Sequence, residues 1–270
     1  MIRINENDII VNKFPDGTLL LKEPVWETDG EGEAKRKAKI TWLFESNEEL
    51  VTLIYLAGHL RAHGIRDLSL DMPYIPNARQ DRVKTKEDVF TLKYFAQVIN
   101  WLDFTSVTVL DPHSSVSEAL LDRIRVRTPE ALVKRVIDRI GMENLTMFYP
   151  DEGACKRYSG MFRLPYAFGI KNRDWETGEI RGLAVSGMTD CVKDRKILIM
   201  DDISSRGGTF YFSARKLKEL GAKEIYLYIS HCENTILEGE VLTCGLIEKV
   251  FTTNSIFTKK HERVEVFDYA

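Results

Sequence analysis

The chain has 270 residues, 44% hydrophobic and 29% charged, which suits a folded protein with one large core or two ordinary ones and argues against a disordered polymer. Its formal net charge of −3, from 38 basic and 41 acidic residues, gives no footprint for nucleic acid, so an anionic substrate must be met by local cations. The N-terminal MIRINENDII lacks the parts of a secretory leader and no apolar run approaches membrane-spanning length, which predicts a cytoplasmic protein with no membrane partner. Cys155, Cys191, Cys232 and Cys244 form no CxxC pair and read as scattered reduced thiols, and the His231-Cys232 pair reads as structural before it reads as a metal site.

In chain order, residues 7–26 alternate apolar runs around Pro15-Asp16-Gly17, a turn between two short strands. Residues 27–39 are Gly-rich and charged, with Lys35, Arg36, Lys37 and Lys39 forming a solvated basic cluster. A strand follows at 40–46, then a helix over 48–63 with Leu50, Leu53, Ile54 and Ala57 on its apolar side, and a strand at 68–74. After the loop IPNARQDRVK come a helix over 88–102, the strand VTVL at 107–110 ending in Asp111-Pro112-His113-Ser114-Ser115, a helix over 129–140, and the strand LTMFYP ending in Asp151-Glu152-Gly153. Residues 166–187 include a polar stretch without periodicity and predict a loop or mobile hairpin. From Lys196 a buried strand runs to a stop at Asp201 and Asp202, followed by a Ser/Gly loop, a helix over 209–220 capped by Gly221, a strand at 224–230, a helix near 235–243 and a strand at 249–255.

The alternation predicts an α/β fold with a mainly parallel sheet in each of two regions, where ligands bind outside the carboxyl ends of the strands. LDPHSS at 110–115 aligns with MDDISS at 200–205, a 90-residue offset that suggests two β/α domains related by an internal pseudo-repeat.

The polar chemistry sits at those strand ends. Asp201 and Asp202 are costly to bury unless something pairs with them, and they suit sugar hydroxyls or metal. The Ser204, Ser205, Arg206, Gly207, Gly208 and Thr209 loop runs into a helix start, whose N–H groups and dipole suit phosphate. Arg79, Gln80 and Asp81 offer a guanidinium for polyphosphate and polar groups for a nucleoside, although a surface salt-bridge loop is equally compatible with them. His113 and Asp151 are candidates for a divalent cation, with a loop hydrogen bond as the ordinary role of such a histidine. Lys171 and Arg173 could neutralise charge on a transferring phosphoryl group or simply be solvated. Neither GxxxxGK[ST] nor GxGxxG occurs.

Together these segments resemble the ribose-phosphate diphosphokinases, also called phosphoribosyl pyrophosphate (PRPP) synthetases. PYIPNARQDR is similar to their PYFPYARQDR element, FPDG to their adenine-side turn, DPHSS to DLHA, PDEGACKR to PDAGGxxRA, KNR to the start of the KRR loop, and DDISSRGGT to the DDxxDTGGT loop shared with phosphoribosyltransferases. The resemblance implies two phosphoribosyltransferase-like domains: 1–124 on the ATP side, 125–255 on the ribose-phosphate side, and a 256–270 tail that packs back on the first. It implies transfer of the β,γ-diphosphate of ATP to the anomeric hydroxyl of a 5-phosphorylated ribose, with magnesium, in a homo-oligomer serving nucleotide biosynthesis. Carried over by motif, Phe14 and Asp16 face adenine, Arg79, Gln80 and Asp81 the nucleotide, and His113 and Asp151 magnesium, with His113 also counted among the catalytic groups. Lys171 and Arg173 stabilise the transferring phosphoryl, Asp201 and Asp202 hold ribose hydroxyls, and 204–209 hold the 5-phosphate.

The chain departs from the family at its start, at its final segment VEVFDYA, at Thr18 where the family has an acid, and at Ser205-Arg206 where it has Asp-Thr. The added guanidinium predicts a second phosphate on the acceptor, as in ADP-ribose, which resembles viral-type members serving nicotinamide and NAD salvage. The competing functions are a phosphoribosyltransferase that consumes the diphosphate donor and a non-catalytic regulatory subunit.

Overall fold

A computed structural model describes residues 1–22, 37–173, 180–187 and 189–269, which form two compact units, Met1–Thr128 and Pro129–Tyr269. The basic residues Lys35 and Arg36 lie outside the described residues.

The first unit contains β1 (Ile2–Ile4), β2 (Asn7–Asp8), β3 (Ile10–Lys13), β4 (Leu19–Lys22), β5 (Lys37–Trp42), α1 (Glu48–Ala62), β6 (Asp67–Asp71), α2 (Thr91–Trp101), β7 (Ser106–Leu110), α3 (Ser115–Leu120) and β8 (Ile124–Arg127). Its six-stranded sheet has the order β2-β1-β5-β6-β7-β8, parallel from β5 to β8 and antiparallel at β1 and β2. The β3 and β4 strands form a separate hairpin. The α1 helix buries Leu53, Leu56, Ala57 and Leu60, a three-and-four spacing that lays one stripe on the sheet, and its acids at the first turn and His59 and Arg61 at the last suit the helix dipole.

The second unit contains α4 (Glu130–Ile140), β9 (Leu145–Tyr149), α5 (Glu152–Tyr158), β10 (Tyr166–Arg173), β11 (Ile180–Gly187), β12 (Lys196–Ser204), α6 (Gly208–Glu219), β13 (Glu224–Cys232), β14 (Lys249–Thr253) and β15 (Val264–Phe267). The sheet order is β11-β10-β9-β12-β13-β14-β15, parallel except at β11. The continuous apolar run of β12 has a direct cause. Ile197 and Ile199 pack with Phe210, Ala214 and Leu217 of α6, while Leu198 and Met200 pack with Val133 and Val136 of α4 and Tyr158 of α5, so both faces are covered. After α6, Gly221 at φ +87 lets its N–H reach Lys218 O and the Ala222 N–H reach Leu217 O, a Schellman closure.

Three expectations need correction. A boundary at 124/125 would cut β8 from β7, to which Ile124 to Arg127 pair, so the division falls after Thr128. The tail is not a separate segment after 255: its β15 extends the second sheet by pairing with β14, burying Val264 and Phe267. In place of a helix near 235–243 there are two 3-10 turns, Asn234–Glu238 and Glu240–Leu242, separated by Gly239 in an extended conformation. Of the loop and the hairpin expected for the polar 166–187 stretch, the hairpin forms: β10 and β11 pair antiparallel, because backbone hydrogen bonding needs no apolar periodicity.

The pseudo-repeat is present in topology with a different register. In chain and sheet order together, β5-β6-β7-β8 correspond to β9-β12-β13-β14, with the β10-β11 hairpin as an insertion in the second unit. The counterpart of the Asp201-Asp202 loop is therefore the Arg79 loop after β6, and Asp111-Pro112-His113 corresponds to the end of β13 at His231.

Candidate active site

In the second unit the carboxyl ends of β9, β12 and β13 bring three acids and a Ser/Gly loop together. Asp151 caps α5, its carboxylate accepting from the Ala154 N–H at 2.9 Å. Asp202 is buried, and Arg157 of α5 places Nη1 3.3 Å from its Oδ1 while the guanidinium lies over the Tyr158 ring. Asp201 is partly exposed and accepts from the Asp202 N–H at 3.0 Å. Burial, the Asp202 carboxylate and its hydrogen bond, and the Asp151 charge hold the Asp201 carboxyl well above the usual carboxylate range. The Asp201-Asp202 pair, with the Asp151 charge nearby, makes an acidic, oxygen-lined spot that suits sugar hydroxyls.

The following loop is tightly shaped. Gly207 has φ +81, and a Cβ there would lie 2.3 Å from Val241 Cγ2, so glycine is needed both for conformation and for space. Its carbonyl accepts from the Phe210 and Tyr211 N–H groups at 2.9 and 3.0 Å, opening α6 and setting the positive end of the helix dipole at the loop. Ser204 is buried, while the Ser205 hydroxyl donates to Glu233 Oε2 at 2.8 Å and Arg206 Nη2 lies 3.0 Å from Glu238 Oε2. The guanidinium expected to meet a second phosphate is thus paired with an acid in an exposed ion pair. Lys171 and Arg173 lie on β10, and their side chains fall outside the described residues.

The first unit holds the remaining candidates. Phe14 is exposed at the tip of the β3-β4 hairpin, where Asp16 accepts from the Thr18 N–H and hydroxyl at 3.0 and 2.7 Å. Those Thr18 bonds hold the Asp16 carboxyl below the usual range. Thr18, at the position of the family's acid, therefore locks the turn that carries Phe14. Asp81 is buried in a bidentate pair with Arg82 at 2.7 and 3.0 Å, which with Ser114 and His113 keeps its carboxyl low against the effect of burial. This joins the Arg79 loop to the Asp111-Pro112-His113 loop. Gln80 accepts from the Thr91 hydroxyl at 2.6 Å, and Arg79 is exposed. Both loops pass through left-handed backbone at non-glycine residues, Asn77 at φ +64 and Asp111 at +41, a strain that clusters at functional loops.

No family profile matches the chain. It is similar along nearly its whole length to curated proteins called ribose-phosphate pyrophosphokinase. The one from Mycoplasma genitalium is 26% identical, covering 99% of this chain and 81% of that protein. The one from Pyrococcus abyssi is 28% identical, covering 97% and 88%. The similarity over most of both chains is to ribose-phosphate pyrophosphokinases. Its fold matches the crystal structure of phosphoribosylpyrophosphate synthetase from Mycobacterium smegmatis with a TM-score of 0.78 over 97% of this chain and 86% of that one, at 19% identity.

Two residues that the pyrophosphokinase motifs did not single out take structural parts in the site. Arg157 closes the PDEGACKR segment and neutralises Asp202, and its signal was the cation ending that motif. Glu233 grips the Ser/Gly loop and had no signal in sequence. Among the described residues no group of three or more His, Cys, Asp or Glu side chains could hold a metal ion, and no helix is long and apolar enough to cross a membrane. His231 is a buried structural histidine whose Nδ1 meets Ser255 Oγ at 2.8 Å, and burial pushes the Cys232 thiol up to about 12.

Proposed function

We propose that this chain transfers the β,γ-diphosphate of ATP to the anomeric hydroxyl of ribose 5-phosphate, releasing AMP and forming PRPP. The observation that carries the reading is the continuity of β12 with α6: Asp201 and Asp202 lie among the last residues of the strand, which ends at Ser204, and the short Ser205 to Gly207 loop leads directly into α6. A 5-phosphate on the loop sets the ribose hydroxyls toward the two carboxylates, fixing the anomeric oxygen for attack on the β-phosphorus as its bond to the α-phosphate oxygen breaks. Arg157 holds Asp202 oriented as a hydroxyl acceptor. Phe14 and Asp16 are assigned to adenine, and Arg79, Gln80 and Asp81 to the nucleotide. Lys171 and Arg173 are assigned to charge developing on the transferring group.

Magnesium suits this donor set, because it prefers oxygen ligands and takes most of its coordination from water and substrate phosphates. Asp151 and His113 are each assigned as a magnesium ligand from the motif resemblance, and a bound ion would offset triphosphate charge. From the resemblance, the molecules are assigned to cytoplasmic homo-oligomers.

Mass-spectrometric analysis of products from ATP, magnesium and ribose 5-phosphate is expected to detect AMP and PRPP. Lys171→Ala is expected to lower kcat by about 100-fold or more. A wild-type chain that releases no AMP overturns the proposal and leaves the regulatory-subunit or phosphoribosyltransferase reading.

The Arg206–Glu238 pair favours the smaller acceptor over ADP-ribose, since the guanidinium already has an anionic partner. Arg206→Ala is expected to change kcat/KM for ribose 5-phosphate by less than about twofold, as an exposed ion pair contributes about 0–1 kcal/mol. Wild-type turnover of ADP-ribose matching that of ribose 5-phosphate, lost selectively in this variant, reverses the choice of acceptor.

A further inference from the structure

The segment after β13 runs back across the phosphate loop and engages each of its first four residues. The Glu233 N–H donates to Ser204 O at 2.8 Å. The Glu233 carboxylate accepts from Ser205 Oγ at 2.8 Å and from Thr235 Oγ1 at 3.2 Å. Glu238 pairs with Arg206, a Cβ on Gly239 would lie 1.8 Å from Arg206 O, and Val241 fills the space a side chain on Gly207 would need. The segment is itself anchored. Asn234 exchanges hydrogen bonds with Thr258 at 2.9 and 3.0 Å, and Ile236, Val241 and Leu242 are buried in the core that also holds Ile197 and Ile199 of β12.

A carboxylate next to an anion site works against the anion by simple repulsion. Glu233 therefore needs a compensating role, and its contacts supply one. Gly207, Gly208 and two serines give the loop many conformations in the unfolded chain, and holding it in one shape before the ligand arrives lowers the ordering cost of binding. Glu233 is bonded to the loop through both main chain and side chain, so it fixes Ser204 and Ser205 relative to β13.

We propose that residues 233–239 form a brace that presets the phosphate loop, with Glu233 a positioning residue that sets acceptor affinity through Ser205. The proposal rests on the reading of this loop as the 5-phosphate site. The brace acts through hydrogen-bond geometry more than charge, which separates the alanine from the glutamine variant. Glu233→Ala is expected to raise the KM for ribose 5-phosphate by about tenfold, with the KM for ATP and kcat each within about twofold. Glu233→Gln, whose amide oxygen still accepts from Ser205, is expected to stay within about threefold of wild type.

Thermal shift with inorganic phosphate supplies a readout independent of turnover: phosphate is expected to raise the Tm of wild type and of Glu233→Gln more than that of Glu233→Ala. If wild type binds phosphate yet makes no AMP, the assigned reaction fails while the brace is still judged by this shift. If Glu233→Ala does not fold, Thr235→Val removes one donor to the carboxylate and is expected to raise acceptor KM by about threefold. The brace is overturned by unchanged acceptor KM and phosphate shift in Glu233→Ala, by an equal rise in ATP KM, by a glutamine variant as impaired as alanine, by a wild type that phosphate does not stabilise, or, where alanine does not fold, by an unchanged Thr235→Val.

Discussion

Gly239→Ala is expected to raise the KM for ribose 5-phosphate by at least about tenfold and to lower the stability of the second unit by about 1–3 kcal/mol. The new Cβ would sit 1.8 Å from the Arg206 carbonyl oxygen, a main-chain atom that no side-chain rotation can move. Either the 3-10 segment lifts away or the phosphate loop shifts, and both change the loop's shape. Gly58→Ala is the matching control. Gly58 lies within α1 with nothing near its missing Cβ, so alanine is expected to stabilise by about 0.5–1 kcal/mol and leave acceptor kinetics unchanged. Steady-state kinetics and thermal melts on both variants check the contrast, and wild-type acceptor KM in Gly239→Ala would remove the close approach from the argument.

Much of the site is written in short, contiguous stretches, which is why sequence alone reaches it. The apolar run ending in Asp201-Asp202 and the glycines opening α6 are local signals for a strand and an anion loop, and β12 and α6 form where they predict. The Pro15-Asp16-Gly17 turn likewise closes the β3-β4 hairpin, aided by the Thr18 bonds to Asp16.

What sequence misses depends on topology. Glu233 and Arg157 are ordinary surface residue types in sequence, and only the packing of β13 and α5 beside β12 brings them to Ser205 and Asp202. The helix expected near 235–243 loses to tertiary contacts: Gly239 must extend to pass the Arg206 carbonyl, which splits the segment into two tight turns. The apparent match of Asp111 with Asp201 follows local composition, since any parallel strand ends in small polar residues, whereas strand order sets β7 against β13. The tail carries a clear strand pattern in VEVF, but the sheet it joins is fixed by β14.

Asp201→Asn is expected to make the metal-free protein more stable at neutral pH, by about 1 kcal/mol, while raising the KM for ribose 5-phosphate by about 100-fold. Burial and the neighbouring Asp202 and Asp151 carboxylates raise the Asp201 pKa well above its unfolded value. Below the ordinary aspartate pKa of about 4 both states are protonated and the site costs nothing. As pH rises past that value the unfolded chain releases a proton that the native state keeps, so stability falls until the folded pKa is passed and the full cost is in place. Asparagine cannot ionise, yet its side-chain oxygen can still accept from the Asp202 N–H, as Asp201 does at 3.0 Å. The variant's advantage in Tm should therefore be present at pH 7 and shrink toward zero near pH 4, in melts run with a chelator. Loss of acceptor binding alongside that gain would mark Asp201 as a residue kept for its substrate at the expense of the fold. A variant less stable than wild type at pH 7, or one with unchanged acceptor KM, would sink this account of the acidic pair.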